Sequence, residues 1–247
     1  MKIYAKTDVG RVRSINQDCY DFCVVSENLA WAVVCDGMGG ESFGEIASNI
    51  AKNTIKENFE NFFTTNKKDY TIDGIKKIIV ESVAKANENI FNKSKEEDFS
   101  NMGTTIVIAV VLKKSLHIAH VGDSRAYVIS ANKIRQLTSD HSFVQEMVKS
   151  GKITPQEART SLQKNIITRA LGVESSVSVD YENFTLNDGD RVFLCTDGLT
   201  NYIDGDDFFD YFLKYSEESI PEVLVKGAND LGGSDNVTVL LISNFKS

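Results

Sequence analysis

No stretch of this chain approaches the roughly 20 consecutive apolar residues that a membrane helix needs. Its longest apolar run, Ile106-Val-Ile-Ala-Val-Val-Leu112, is short and β-branched, and reads as a buried strand. The first ten residues, Met1 to Gly10, have no apolar core and no cleavage signature, so no signal peptide is expected. Histidine is scarce, at His117, His120 and His141, and no Gly-x-Ser-x-Gly segment occurs. A serine–histidine–aspartate triad therefore has little support. A Gly-Lys-Ser/Thr triplet is missing, which excludes a phosphate-cradling P-loop. Gly37-Met-Gly39-Gly-Glu-Ser42 lacks the third glycine of a dinucleotide fingerprint, and the residues after Asp36 lack the alternating oxygen ligands of an EF-hand loop. The four cysteines, Cys19, Cys23, Cys35 and Cys195, form no CxxC pair. They read as reduced structural thiols rather than zinc ligands or disulfides, which points to the cytoplasm. A net charge of −8 argues against general nucleic-acid binding, which needs basic surface. Repeats, low-complexity segments and interdomain linkers are all lacking.

What is present is ordinary globular material: 247 residues, 42% hydrophobic and 25% charged, enough for one large domain with a full core. Strand patterns cover Lys2 to Thr7, Tyr20 to Ser26, Leu29 to Cys35, Thr104 to Leu112, Leu116 to Val121, Ala126 to Ser130, Lys133 to Leu137, Val177 to Phe184, Arg191 to Thr196 and Val237 to Ile242. Helical spacing appears over Gly44 to Phe63 and Asp73 to Asn92, and again at about Asp206 to Tyr215 and Ile220 to Leu231. Polar connections fall at 67–69 and 93–98, and a hairpin turn at Ala131-Asn132. Two helices between two strand-rich halves indicate an α/β sandwich rather than alternating βαβ units. Between Ser142 and Gly172 the strand pattern breaks. Phe143 to Lys149 reads as a short helix, and Thr154-Pro155-Gln156-Glu157 is a capping-box start for another. This polar insertion reads as a flap beside the site.

Four apolar runs meet an aspartate at one end, in a turn: Asp36-Gly37, Gly122-Asp123, Asp197-Gly198 and Ser234-Asp235. Asn16-Gln17-Asp18 opens another run. Any one such dipeptide is most often a plain turn. As a set, carboxylates converging from strand ends could not all stay ionised without a cation. Hard carboxylate oxygens beside glycine, whose missing Cβ allows close backbone approach, suit Mg²⁺ or Mn²⁺. The set reads as a two-metal hydrolase.

Arg11-Val-Arg13-Ser-Ile-Asn16-Gln17-Asp18, Asp36-Gly-Met-Gly-Gly40, Gly44-Glu45, Gly103-Thr-Thr105, Gly122-Asp-Ser-Arg-Ala-Tyr127, Leu137-Thr-Ser-Asp-His-Ser142, Thr168-Arg-Ala-Leu-Gly172, Thr196-Asp-Gly-Leu199 and Asp235-Asn236 follow in that order. Together they resemble the metal-dependent serine/threonine phosphatases of the protein phosphatase 2C (PPM) type, bacterial branch, over nearly the whole chain. The resemblance implies an α+β fold, a four-layer α-β-β-α sandwich of two antiparallel sheets flanked by helix pairs. It implies a single catalytic domain over 1–247 with a flap at about 142–172. It also implies two Mn²⁺ or Mg²⁺ ions, with a third, weaker site. Asp36 would bridge both ions, with the Gly37 carbonyl on one and Asp197 and Asp235 on the other. Asp18 would coordinate directly or hold metal-bound water, and Asp123 with Asp197 would form the third site. Arg13 would grip the phosphate. The implied reaction is hydrolysis of phosphoserine and phosphothreonine in proteins by direct attack of a metal-bridging water or hydroxide, opposing a bacterial serine/threonine kinase. The implied partners are phosphoprotein substrates, including such a kinase and its targets. The acidic charge and the lack of a long apolar run argue against nucleic acid and membrane, and the size and lack of extra domains suggest a free-standing catalytic domain, expected as a monomer.

This sequence departs from the family pattern at three places. Met38 stands where many eukaryotic members carry a histidine proposed as the acid, and a thioether donates no proton. Gln17 occupies a position acidic in many relatives. Thr160-Ser-Leu-Gln-Lys-Asn165 lacks a His-Pro pair common in bacterial flaps. Competing readings are a stress- or sporulation-signalling subtype of the same enzyme, a pseudophosphatase that only binds, and a metal-dependent nuclease. Intact metal-ligand positions argue against the second and acidic charge against the third.

Overall fold

In the computed structural model the described residues are 1–40, 43–65, 70–96, 102–131, 133–205 and 207–243. Two antiparallel sheets lie face to face between helices. One has the strand order β1 (Lys2–Asp8), β11 (Val237–Ser243), β10 (Arg191–Cys195), β7 (Arg125–Ser130), β8 (Lys133–Gln136). The other runs β2 (Asp18–Ser26), β3 (Leu29–Met38), β5 (Ile106–Leu112), β6 (Ser115–Val121), β9 (Asp180–Thr185), with β4 (Gly103–Thr104) added to the end of β3.

Strand periodicity explains the layering. Successive side chains point to opposite faces. On β3, Ala32 and Val34 face the core between the sheets, whereas Trp31, Val33 and Cys35 face α1 (Phe43–Thr65) and α2 (Ile72–Lys93). On β11, Leu240 and Ile242 enter the same inter-sheet core. Val239 and Leu241 pack against α5 (Asp197–Thr200), α6 (Asp207–Lys214) and α7 (Ile220–Asp230). Strands covered on both faces read as continuous apolar runs, which is why these runs stood out. The four-layer α+β sandwich expected from the sequence is present.

Several boundaries differ from the expectation. The run Thr104 to Leu112 is broken at Thr105, whose backbone and hydroxyl serve Asp36 instead of a continuous ladder. Val177 and Val179 lie outside β9, their apolar character used in packing against the α1–α2 core. Asp197 starts a short helix where the sequence indicated only a turn. α3 (Phe143–Lys149) and α4 (Pro155–Thr160) form within the 142–172 segment, α4 with both halves of its capping box. The polar connection at 67–69, the end of that at 93–98, Asn132 of the hairpin turn and the helix start at Asp206 lie outside the described residues. No described helix is long and apolar enough to cross a membrane.

Candidate metal centre

The aspartates meet at one end of the sandwich. Asp18 and Asp36 are cross-strand neighbours at the joined ends of β2 and β3. Asp123 follows β6, Asp197 follows β10, and Asp235 sits two residues before β11. Each sheet therefore offers its carboxylates to the same cleft. Close backbone approach assembles it. A Cβ on Gly37 would lie 2.1 Å from the Gly44 carbonyl oxygen, so the end of β3 seats directly on the first turn of α1. A Cβ on Gly198 would lie 1.9 Å from the Asn236 carbonyl oxygen, which brings the Asp197 and Asp235 turns together.

Asp18, Asp36 and Asp235 are held by contacts distant in sequence. The buried Asp18 accepts on Oδ2 from Thr196 Oγ1 at 2.9 Å and Thr238 Oγ1 at 2.7 Å. Asp36 is fixed through its backbone: its N–H donates to Thr105 Oγ1 at 3.0 Å, and its carbonyl accepts from Thr105 N–H and Thr104 Oγ1. Thr105 Oγ1 in turn lies 2.7 Å from Ser124 Oγ, beside Asp123. Asn201 donates to Asp197 at 3.1 Å. Asp235 accepts on Oδ1 from the Asn236 N–H and on Oδ2 from Arg13 Nη2 at 2.9 Å.

Electrostatics expose the strain of the arrangement. Burial, joined by the charges of Asp197 and Asp235 and opposed by the two hydroxyl contacts, pushes Asp18 up to about 7. Burial and the neighbouring Asp18, Asp197, Asp123 and Asp235 drive the Asp36 carboxyl well above the usual range. Asp123 is raised by burial and by Asp197, and Asp197 by burial and Asp235. Two buried oxygens, Asp18 Oδ1 and Asp123 Oδ1, have no hydrogen-bond partner among the described residues. Buried polar atoms are normally satisfied. Orphaned carboxylate oxygens within a cluster of like charge are what a hard divalent cation satisfies, so the donor set fits Mg²⁺ or Mn²⁺.

Asn236 is a positioning residue that sequence reasoning passed over. Its side-chain oxygen accepts from Gln17 N–H at 2.8 Å, while its amide donates to the carbonyls of Val9 and Ile15 at 2.9 and 3.0 Å. It thereby moulds the 9–17 loop that carries Arg13. Arg125 was missed as well. Its guanidinium grips Asp140 through Nε and Nη2 and Asp204 through Nη1. These groups floor a cavity of about 310 Å³ that opens onto Asp123 and Asp197 and is walled by Pro155, Arg159 and Lys164. The Met38 thioether packs over Gly103 and brings no acid to the cleft.

His120, His141 and Asp180 form a second group, with ligand atoms within 4.8 Å of one another. A cation already fills it: Arg169 Nη1 lies 2.6 Å from Asp180 Oδ1 and 2.9 Å from His141 Nε2. His141 Nδ1 accepts from the Gly122 N–H, and its Nε2 lies 3.3 Å from Asp180 Oδ2. Burial, then stacked His120, holds His141 down at about 4, so it is neutral at ordinary pH. It serves as a strut between the Asp123 turn and the returning end of the 142–172 segment, where Thr168 N–H donates to its carbonyl.

Comparison with known proteins agrees with this architecture. The family model for protein phosphatase 2C matches residues 10–226. The serine/threonine phosphatase stp of Listeria welshimeri is 37% identical, the match covering 96% of this chain and 93% of that protein. The crystal structure of serine/threonine phosphatase Stp1 from Staphylococcus aureus superposes with a TM-score of 0.90 at 36% identity, covering 98% of this chain and 94% of that one. The catalytic domain of serine threonine protein phosphatase PstP, in complex with 2 manganese ions, superposes with a TM-score of 0.80 at 28% identity, covering 97% and 96%. With a family match over most of its length and relatives above 30% identity across nearly all of it, the chain belongs to the protein phosphatase 2C family.

Proposed function

We propose that the chain hydrolyses phosphoserine and phosphothreonine in proteins, as a single catalytic domain over 1–247 with a flap at about 142–172. The observation that carries the reading is the convergence of five buried or half-buried aspartates from both sheets, two with orphaned oxygens, beside Arg13. The similarity to named serine/threonine phosphatases supports the substrate class.

Asp36, Asp197, Asp235 and the Gly37 carbonyl would hold two cations, Asp18 would support or complete that set, and Asp123 with Asp197 would hold a third. Divalent ions there would supply Lewis acidity, lowering the pKa of water and offsetting phosphoryl charge. The remaining work belongs to the chain. Arg13, half exposed at 53% and paired with Asp235, can leave that partner and present its fork to two phosphoryl oxygens. Its exposed ion pair contributes little, so release is cheap. Asn236 holds the Arg13 loop in register with the Asp235 turn. With Met38 at the end of β3, the leaving serine or threonine oxygen takes its proton from solvent in the cleft. Four free thiols fit a reducing compartment, and the reading places a monomer in the cytoplasm, opposed to a serine/threonine kinase.

The test is Mn²⁺-dependent release of phosphate from phosphoserine and phosphothreonine peptides. Turnover that requires Mn²⁺ or Mg²⁺ and disappears in Asp36→Asn is the expected result. A folded chain that binds Mn²⁺ yet releases no phosphate from peptide or from p-nitrophenyl phosphate would move the reading to a phosphoprotein-binding pseudoenzyme.

A further inference from the structure

Two of the four cysteines face each other. Cys19 of β2 and Cys35 of β3 are paired positions in the antiparallel register, and their side chains interact directly. They occupy the step immediately beside the Asp18–Asp36 pair. Opposed residues in a sheet point to the same face. Both thiols therefore face α1 and α2, among Ala47, Ala51 and the rest of that core, while the two aspartates point the other way, into the cleft.

The register brings the two sulfurs together and sets how far the strands must move to link them. Gly37 N–H donates to the Gln17 carbonyl at 3.1 Å, so the 17–37 position is a hydrogen-bonded one. Alternation makes 18–36 a non-hydrogen-bonded pair and 19–35 a hydrogen-bonded pair again, with Cα atoms about 5.5 Å apart. Disulfides span Cα separations of roughly 4.4–6.8 Å but need Cβ atoms about 3.5–4.5 Å apart, closer than the roughly 5 Å or more of a hydrogen-bonded pair, so closing the bond shifts the two strands. Cys23 lies four residues along β2, roughly 13 Å from Cys19 by strand rise, and Cys195 belongs to the opposite sheet. Access is also one-sided: Cys35 is buried but Cys19 is partly exposed, on the edge strand of its sheet. An edge strand has one neighbour to disturb when it shifts.

We propose that Cys19 and Cys35 are a reversible oxidation site for peroxides, and that the crosslink weakens cation binding at the adjoining Asp18 and Asp36. The Cys19 sulfur attacks one peroxide oxygen, the O–O bond breaks, and a sulfenic acid and water result. The Cys35 sulfur then forms the S–S bond and displaces the sulfenic oxygen as a second water. Two thiols are oxidised by two electrons and one peroxide is reduced. A small dithiol reverses the step by exchange. Drawing the two sulfurs to bonding distance moves the backbone of the next residues, and those residues are proposed metal ligands. That last link rests on the proposed function; the oxidation itself does not.

The experiment treats the full-length reduced chain with hydrogen peroxide, blocks remaining thiols with N-ethylmaleimide, maps the peptides, and measures Mn²⁺ affinity by calorimetry before and after. The expected result is a Cys19–Cys35 linked peptide and Mn²⁺ binding weaker by on the order of tenfold, the scale on which groups behind metal ligands act. Dithiothreitol restores both readouts. Cys19→Ala keeps its Mn²⁺ affinity through the treatment, and Cys23→Ala behaves as the parent. Cys19 and Cys35 recovered separately after peroxide would overturn the site, as would an equal loss of affinity in Cys19→Ala. A linked peptide with unchanged Mn²⁺ affinity would overturn the coupling. An untreated chain that binds no Mn²⁺ would sink the proposed metal chemistry and leave the linked peptide readable.

Discussion

Asp18 sits under opposing influences. Thr196 and Thr238 favour its ionised form by donating to one oxygen, while burial and the surrounding aspartates favour the protonated form. Its folded pKa of about 7 stands above that of an unfolded carboxylate. The folded metal-free chain therefore binds more protons than the unfolded one between about pH 4 and 7, and this contribution to stability is lost as pH rises through 7. We expect the melting temperature in EDTA to fall between pH 5 and 8, and the slope to flatten in Mn²⁺; a pH-independent melt in EDTA would contradict the buried cluster. Asp36→Asn or Asp197→Asn should lower Mn²⁺-dependent phosphopeptide hydrolysis by more than about a hundredfold, beyond the loss seen for groups behind metal ligands. Because each removes a charge from a repelling set, circular dichroism of the metal-free variants should show an intact fold. Arg13→Ala should lose about ten- to a hundredfold in kcat/KM, the worth of a charge-assisted hydrogen bond. Arg13→Lys should recover part of it, because an ammonium lacks the bidentate fork. Equal kcat/KM in Arg13→Ala and the parent would remove Arg13 from the phosphate site.

Elements hold these residues through backbone contact as much as through side chains. Gly198→Ala would drive a methyl against the Asn236 carbonyl, and neither backbone can yield without separating the Asp197 and Asp235 turns. Overpacking of this kind destabilises by about 1–3 kcal/mol, and here it also misplaces two carboxylates. The expected outcome is a lower melting temperature together with weaker Mn²⁺ binding; loss of one without the other would separate the two roles. Much of this level was legible from the chain. The helices α1 and α2 followed from helical spacing, and α4 from Thr154, Pro155 and Glu157. The aspartates stood out because each ends an apolar strand beside a turn residue. Partnerships were not legible, because a period-2 pattern states that a strand is covered, not by what. Val177 and Val179 satisfied the pattern by packing alone. Asn236, Thr196, Thr238 and Arg125 act across separations of up to 227 residues and leave no local trace.

At the scale of the molecule, a cation bound only by the folded chain stabilises it by about 2.7 kcal/mol at a hundred times its Kd. For a domain of this size each kcal/mol moves the melting temperature by roughly 2–4 °C. Saturating Mn²⁺ should thus raise the melting temperature of EDTA-stripped protein by about 5–10 °C, read by scanning calorimetry, and Asp36→Asn should forfeit most of the gain. One further consequence comes from the pairing of β1 with β11, Lys2 opposite Ser243 and Asp8 opposite Val237. The pairing joins segments far apart in the chain, and Asn236, which shapes the Arg13 loop across a separation of 227 residues, sits at the entry to β11. A chain in which β1 and β11 have not paired has its carboxylates but no seat for its arginine, so the two strands must close on each other before the proposed phosphate site is whole.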